Sequence, residues 1–342
     1  MARRTVSTQV RKRGGGEQLQ PAAERIAVIL PAYNEEQTIG DTLRAFHREL
    51  PEAALYVVDN NSSDRTAVIS GDTLRELGAR GETIGEPRRG KGNALRCAFQ
   101  KIEADLYLIA DADMTYPSEQ ARELLAPIRE DRADMVVGDR FSKGRYASQN
   151  KRPFHNFGNR LVRSIVNLLY AGKLTDILSG YRAFSRRFVK SYPARVEGFQ
   201  VETDMTLYAL QHRFRIQEVP VAYRERPLGS KSKLRTFSDG AKILQLIAQR
   251  LRHDRPLLFY SILASLSAGC GLLAALPALT GWSGPRSVLH ALSLVLAAML
   301  AAAALILLGS GMILHTREKT AHERLAQEQE EPETPTRISG EL

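Results

Sequence analysis

Two aspartates one residue apart, Asp111 and Asp113, close the apolar run of Tyr107–Pro117, YLIADADMTYP. In an extended segment residues i and i+2 point the same way, so these carboxylates can aim at one point. Two carboxylates brought together repel, and one takes up a proton unless a cation lies between them. Hard divalent ions such as Mg2+ and Mn2+ take oxygen ligands of this kind. A lone Asp-x-Asp is more readily a polar turn after a strand, because so short a motif recurs by chance. The neighbouring residues decide between the two.

Three further polar clusters follow apolar runs in the same way. PAYNEE follows Ile26–Leu30, DNNSSDRT follows Leu55–Val58, and DRF follows Met135–Gly138. Any one of them fits a turn or a helix cap; Asp64, for example, can cap the helix after it. Amphipathic segments separate the runs, with stripes at Ile39, Leu43 and Phe46 and at Leu95, Ala98, Phe99 and Ile102. Apolar strands alternating with such helices predict an α/β domain with a mainly parallel sheet covered on both faces. Ligands bind beyond the carboxyl ends of such strands, where all four clusters fall. The loop GEPRRGKGN, Gly85 to Asn93, adds backbone N–H groups and Lys91 suited to phosphate, without the P-loop spacing.

The 342 residues are 43% hydrophobic and 25% charged, with a formal net charge of +10. A basic balance suits nucleic acid, an anionic membrane surface or phosphorylated substrates. The aromatics do not interleave with Lys and Arg as on a single-strand-binding surface, which argues against nucleic acid. Cys97 and Cys270 offer neither zinc-type spacing nor a disulfide framework, and their settings predict two small buried hydrophobes. Residues 1–24 read as a disordered basic tail with a Gly run and no signal-peptide core.

Pro256 to Trp282 contains no charged residue, and Ser287 to Leu314 none apart from His290 when protonated. Each exceeds the roughly 20 residues that cross a hydrocarbon core of about 30 Å. The linker SGPR is short, so a two-helix transmembrane hairpin is predicted over 256–314. Core helices of soluble domains are seldom charge-free over such a length. Lys and Arg crowd the outer ends, in AQRLRHDRP and HTREK, which by the positive-inside rule places the large domain in the cytoplasm, on the cytoplasmic membrane. Residues 238–255 carry Ile243, Leu244, Leu246, Ile247 and Leu251 among Lys and Arg, a pattern that predicts a juxtamembrane amphipathic helix lying in the headgroup layer. Residues 315–342 read as a polar, Glu-rich, partly helical tail, which leaves 25–237 for the soluble domain.

Taken in order, ILPAYNEE, VVDNNSSDRT, RGKGNALR, DADMTYP, DILSGYRAF and EVPVAYRERPLGSKSKL resemble the family 2 glycosyltransferases. More narrowly they resemble the polyprenyl-phosphate hexosyltransferases, the group that includes dolichol-phosphate mannose synthases. The resemblance runs from about Ile26 to Phe237, and the hairpin extends it. It implies a GT-A fold, Rossmann-like with a mainly parallel sheet. It implies transfer of a sugar from UDP-hexose or GDP-mannose to undecaprenyl or dolichyl phosphate, with inversion and with Mg2+ or Mn2+. By the same resemblance Pro31, Tyr33 and Glu35 would lie beside the nucleotide, and Asp59 would accept a hydrogen bond from the base. Asn60 stands where many relatives have a second Asp. Asp111 and Asp113 would hold the metal on the diphosphate, with Asp113 favoured as direct ligand; Thr115 replaces a Gln common in relatives. Arg140, Arg160, Ser164 and Lys233 would surround the acceptor phosphate.

The residues themselves also support an acceptor half. Arg160, Ser164 and Asn167 are spaced by four and three and share a helix face, with Leu161, Ile165, Leu168 and Leu169 on the other side. Arg140 follows the fourth apolar run, and Arg224, Arg226, Lys231, Lys233 and Arg235 precede the membrane-proximal segment. Cationic side chains there suit a phosphate held at a bilayer surface. A phosphate monoester has a second pKa of about 6 and is largely dianionic at neutrality, so it can attack an anomeric carbon without a general base. Asp176, Glu202 and Asp204 are then open to orienting the sugar or acceptor, capping helices or balancing Arg, with Asp176 placed first. A processive polysaccharide synthase would carry a Gln-x-x-Arg-Trp motif, and the only Trp is Trp282. Another acceptor, or a non-catalytic membrane-anchored nucleotide-sugar-binding protein, stays open on sequence, as do the sugar, the isoprenoid and a homo-oligomeric state.

Overall fold

In chain order the elements are β1 (Ile26–Ala32), α1 (Ile39–Glu49), β2 (Ala54–Asp59), α2 (Thr66–Leu77), β3 (Gly81–Gly85), α3 (Lys91–Lys101), β4 (Leu106–Ile109), α4 (Ala121–Arg129), β5 (Met135–Asp139), α5 (His155–Tyr170), β6 (Arg182–Ser185), α6 (Arg186–Ser191), α7 (Val201–Gln211), β7 (Ile216–Pro220), α8 (Thr236–Asp254), α9 (Pro256–Thr280) and α10 (Val288–Glu330). The computed structural model describes residues 24–142, 155–170, 172–227, 236–280 and 288–330. The basic tail therefore lies outside the described residues except for Glu24, and so does the chain beyond Glu330.

Alternate residues of β1 feed two cores, as the period of a strand requires. Val28 and Leu30 pack with Ile39, Leu43 and Phe46 of α1, while Ala27 and Ile29 pack with Leu95 and Phe99 of α3. Burying each large apolar side chain contributes about 1.5–3 kcal/mol, which is why both faces of the sheet are covered. The sheet has seven strands in the order β3-β2-β1-β4-β6-β5-β7. Strands β3, β2, β1 and β4 run parallel. Strand β6 is antiparallel to both β4 and β5, so two reversals return β5, and β7 beside it, to the direction of β4. The carboxyl ends of β1, β2, β4 and β5 therefore share one edge, and the four polar clusters leave the sheet there. Strands β3, β6 and β7 are not among the apolar runs of the sequence. Strand β3 (GETIG) is a largely exposed edge, β6 has four residues, and β7 (IQEVP) is only half-buried.

Helices α9 and α10 pair as an antiparallel hairpin. Tyr260 meets Gly311, Ser267 Oγ donates to the Leu300 carbonyl at 2.8 Å, and Gly271 packs on Ala297 and Leu300. Small residues at such crossings let two apolar helices approach closely. Pro256–Thr280 and His290–Arg317 are long and apolar enough to cross a membrane. Their outer faces have no protein cover among the described residues: Leu266 is 62% and Ile306 69% exposed. That separates them from the core helices of a soluble domain. Cys97 is buried as expected, but Cys270 is exposed on this apolar surface.

Candidate active site

Beyond β4 the chain turns at Met114, whose φ of 60° is uncommon for a residue with a side chain and marks a constrained turn. Asp111 and Asp113 lie on the amino side of that turn. Lys91, the first residue of α3, places its ammonium 2.5 Å from Asp111 Oδ1 and 2.6 Å from Glu202 Oε1 of α7. Arg226, beyond β7, places Nη2 2.5 Å from Asp113 Oδ2. Burial works to raise the Asp111 pKa, but Lys91, with Arg226 and Arg140 farther off, holds it below the ordinary value. Asp113 moves the other way: burial and then the charge of Asp111 push it up, against the pull of Arg226. Burial also opposes charge on Lys91, and Asp111 and Glu202 together outweigh it and raise its pKa. Gly180, of the DILSGYR stretch, sits against this group. A Cβ there would lie 2.8 Å from Lys91 Nζ and 3.0 Å from both Asp111 oxygens, so a side chain at this position would displace the Lys91–Asp111 pair.

Asp113 Oδ1 accepts from the Thr115 hydroxyl at 2.6 Å and from its N–H at 3.1 Å. Thr115 thus braces Asp113, the work of a hydrogen-bond donor. Among the described residues no three His, Cys, Asp or Glu side chains form a metal cage. The residues nonetheless fit a hard divalent ion. Mg2+ is commonly bound by one or two carboxylates together with substrate phosphates, and a buried carboxylate with a raised pKa beside a half-buried one gains from an added cation.

At the end of β2, Asp59 Oδ2 accepts from the Ser62 N–H at 3.4 Å, while Oδ1 is buried with no hydrogen-bond partner among the described residues. A buried acceptor without a donor is costly, so this oxygen suits a ligand N–H. Asn60 does something else: its carbonyl accepts from the Gly90 N–H at 2.6 Å and its amide donates to the Arg88 carbonyl at 2.7 Å. It ties β2 to the basic loop. That loop is packed at Gly90 and Gly92, where a Cβ would fall 2.2 Å from the Glu197 carbonyl oxygen and 2.0 Å from that of Val196. Pro31 pairs with Val58 inside the sheet. Tyr33 lies under the Arg89 guanidinium at 5.2 Å, and buried Glu35 takes the Thr38 hydroxyl at 3.2 Å. Asp64 takes the N–H of Thr66, the first residue of α2, at 3.0 Å, as a cap would, and also accepts from the Glu36 N–H, so it joins the β1 and β2 loops.

Residues 27–192 match the family described as Glycosyl transferase family 2. Glycosyltransferase AglJ of Haloferax volcanii is 30% identical over 79% of this chain and 86% of its own. The chain belongs to glycosyl transferase family 2. A dolichyl-phosphate hexose transferase of Haloferax volcanii is also 30% identical, over 67% of this transferase and 95% of its own chain. Glucosyl-3-phosphoglycerate synthase of Mycobacterium tuberculosis, solved with Mn2+, UDP and phosphoglyceric acid, superposes with a TM-score of 0.51 at 25% identity. It covers 67% of this chain and 78% of that one. The GT-A-like α/β fold expected from sequence is the fold found.

The cationic part of the transferase differs in detail from the sequence reading. Arg140 Nε and Nη2 bind the two Asp176 oxygens at 2.6 and 2.8 Å, with side chains 8% and 1% exposed. Asp176 thereby positions Arg140, so that of the roles open to it on sequence the structure shows the balancing of an Arg. Glu218 of β7 in turn accepts from the N–H groups of Thr175 and Asp176, both at 2.8 Å. On α5, Arg160 and Ser164 are exposed. Asn167 is not free to act with them, since its amide clasps the Leu174 N–H and carbonyl at 3.1 and 2.9 Å. The buried stripe of α5 is Val162, Val166 and Tyr170, and Leu161 and Leu168 point out, so the apolar side assigned from sequence is rotated. Lys233 lies outside the described residues. Helix α8 also departs from expectation. Ile243, Leu246, Ile247 and Leu251 are buried, the first and third of them against α5 and α7, and Arg250 pairs with buried Asp204 at 2.6 Å. Of its apolar residues Leu244 is exposed, at 40%. Sequence reasoning left Glu202 ambiguous and read Arg226 as a phosphate or membrane contact. No local pattern marks either as a partner of Lys91 or Asp113.

Proposed function

We propose that this transferase moves a hexose from a nucleoside-diphosphate sugar to polyprenyl phosphate at a membrane surface. The observation that carries the acceptor half is the join between α8 and α9. Helix α8 is fixed to the catalytic domain by its buried stripe and by Arg250–Asp204, and Pro256 opens the apolar hairpin two residues after its end. A catalytic domain joined so directly to an apolar hairpin suits a lipid-borne acceptor. The dolichyl-phosphate hexose transferase to which the chain is similar supports the same reading.

In this reading the orphan oxygen of Asp59 takes an N–H of the base, uracil or guanine, and Tyr33, Glu35 and the backbone at Pro31 flank the nucleoside. Asp111 and Asp113 hold Mg2+ or Mn2+, which supplies charge neutralisation at the leaving diphosphate. Lys91, fixed by Glu202, keeps Asp111 ionised for that task. Arg140, held by Asp176, with Arg160, Ser164 and Lys233, orients the acceptor phosphate, whose oxygen attacks the anomeric carbon. One displacement inverts that centre. The catalytic domain faces the cytoplasm, with both ends of the hairpin on that side.

The test is a donor screen with the full chain in detergent micelles. UDP-hexoses and GDP-mannose are offered with a short polyprenyl phosphate, or with phosphoglyceric acid as a soluble acceptor. The expected result is one glycolipid of inverted configuration, formed only with divalent metal. Transfer to the soluble acceptor alone refutes the lipid reading, and donor binding without turnover in any combination favours a binding protein. Labelling of single cysteines in sealed vesicles checks the topology, which fails if the two flanks of the hairpin are accessible from opposite sides.

A further inference from the structure

Strand β6 lies between β4 and β5 in the sheet. Its first residue, Arg182, is registered with Ile109 on one side and Val137 on the other. Two residues beyond Ile109 stands Asp111, and three beyond Val137 stands Arg140. The loop that enters β6, residues 176–180, therefore crosses between the carboxylate half of the site and its arginine half. Asp176 at its start holds Arg140, and Gly180 at its end lies against Lys91 and Asp111.

Arg182 is fully buried, and its guanidinium bonds to no carboxylate among the described residues. Nε donates to the Ser179 carbonyl at 2.8 Å, Nη2 to the Ile177 carbonyl at 2.6 Å, and Nη1 to the Thr206 hydroxyl at 3.0 Å. Thr206 extends the chain of contacts. Its hydroxyl donates to the Glu202 carbonyl one turn earlier in α7, at 2.9 Å, and the Glu202 side chain holds Lys91. One planar group thus grips both carbonyls that flank Leu178 and ties them to the turn that carries Glu202. Burying a charge without an ionic partner is costly. Burial lowers the Arg182 pKa, with the charges of Glu202 and Asp176, farther off, working against it. An apolar side chain of similar volume would fill the place without that cost, so what arginine adds is its fixed fork of donors.

We propose that Arg182 is a positioning residue of the transfer reaction: its fork fixes the 176–180 loop to α7 and so sets the spacing between the Asp111–Asp113 half of the site and the Arg140 half. The proposal rests on the reading that the first half serves the donor and the second the acceptor. Each half keeps its own support without Arg182. Asp111 and Asp113 follow β4, Arg140 follows β5, and Glu218 still holds the Asp176 N–H. What is lost is the alignment of one half with the other. Alignment of two bound reactants enters the rate of the chemical step, and a misplacement of about 1 Å costs about 100-fold.

The test uses the full chain in detergent micelles, with Arg182→Met, Arg182→Lys and Thr206→Val. Urea unfolding supplies the folded fraction, so that rates are compared per folded molecule. In both Arg182 variants kcat for transfer to a short polyprenyl phosphate is expected to fall about 100-fold. Nucleotide affinity in the presence of Mn2+, measured by calorimetry, and the acceptor KM should stay within about threefold of the unmodified chain. Lysine keeps the charge without the fork and should not rescue the rate. Thr206→Val cuts the arm to α7 alone and should show a smaller loss of kcat with the same unchanged affinities. Hydrogen exchange without ligands reads the loop directly, and the amides of 176–180 should exchange faster in the Arg182 variants. Unchanged kcat per folded molecule in Arg182→Lys and Thr206→Val overturns the proposal, whether or not Arg182→Met folds. Full rescue by lysine overturns it too, because charge alone would then suffice. So does unchanged exchange at 176–180, or a loss carried by the acceptor KM or nucleotide affinity in place of kcat. If the unmodified chain transfers no sugar to polyprenyl phosphate, the proposed function fails, and this inference fails with it.

Discussion

Asp176 and Arg140 join through two hydrogen bonds of 2.6 and 2.8 Å at the end of β5, in surroundings that leave 8% of Arg140 and 1% of Asp176 exposed. Asp176→Ala removes the carboxylate while the guanidinium stays in place. Breaking a buried pair from one side costs about 3–5 kcal/mol, because the remaining charge has lost its compensation. The N–H groups of Arg140 and Leu178, each 3.2 Å from an Asp176 oxygen, lose their acceptor as well. The upper part of that range is therefore expected, a large share of the roughly 5–15 kcal/mol that holds a domain together. The paired change Arg140→Met with Asp176→Leu leaves no unbalanced charge. It should return most of the stability, since apolar side chains often replace a buried ion pair at little cost. Transfer should not return with it, because the proposed phosphate contact is gone. Urea denaturation of the full chain in micelles supplies the stabilities, and transfer assays supply the rest. A cost below about 1 kcal/mol for Asp176→Ala, the value of an exposed pair, would refute the buried geometry. A double variant that regains transfer together with stability would show that Arg140 serves only the fold.

Asp113→Ala is expected to abolish transfer and to weaken Mn2+ binding measured by calorimetry, with the fold retained; full activity in that variant, or in excess EDTA, would rule out the metal role. Arg160→Ala removes a charge-assisted contact worth about 1.5–3 kcal/mol, which predicts a loss of transfer of about tenfold to a hundredfold through the acceptor. Donor affinity should not move, and a parallel fall would place Arg160 in the nucleotide half. Glu86 is held down from 4.5 to about 2, chiefly by hydrogen bonds from the Arg88 side chain at 2.8 and 2.9 Å. A depressed carboxylate contributes stability above its unfolded pKa and loses it as pH falls through the folded one. Acid titration of unfolding should therefore show a loss between about pH 4.5 and pH 2 that is shallower in Glu86→Gln; identical slopes would refute the pairing.

The strands β1, β2, β4 and β5 are readable in the sequence because hydropathy and strand period are local properties. So is the hairpin, whose length and lack of charge need no partner to be recognised. The convergence of four polar clusters also follows from sequence, since parallel strands put their carboxyl ends on one edge whatever the side chains do. The cations at the carboxylates were decided by tertiary structure. Lys91 meets Asp111 from 20 residues away, and Arg140 meets Asp176 across 36; Glu202 and Arg226 arrive from elements with no local signature of the site. The same limit explains α5 and α8. Their amphipathic patterns are plain in the sequence, but a pattern names an apolar side without naming what covers it. The buried stripe of α8 went to α5 and α7, and among the described residues Leu161 and Leu168 of α5 stay exposed. An ion pair or a packed face depends on where distant segments cross, and the path of the chain through the sheet sets those crossings.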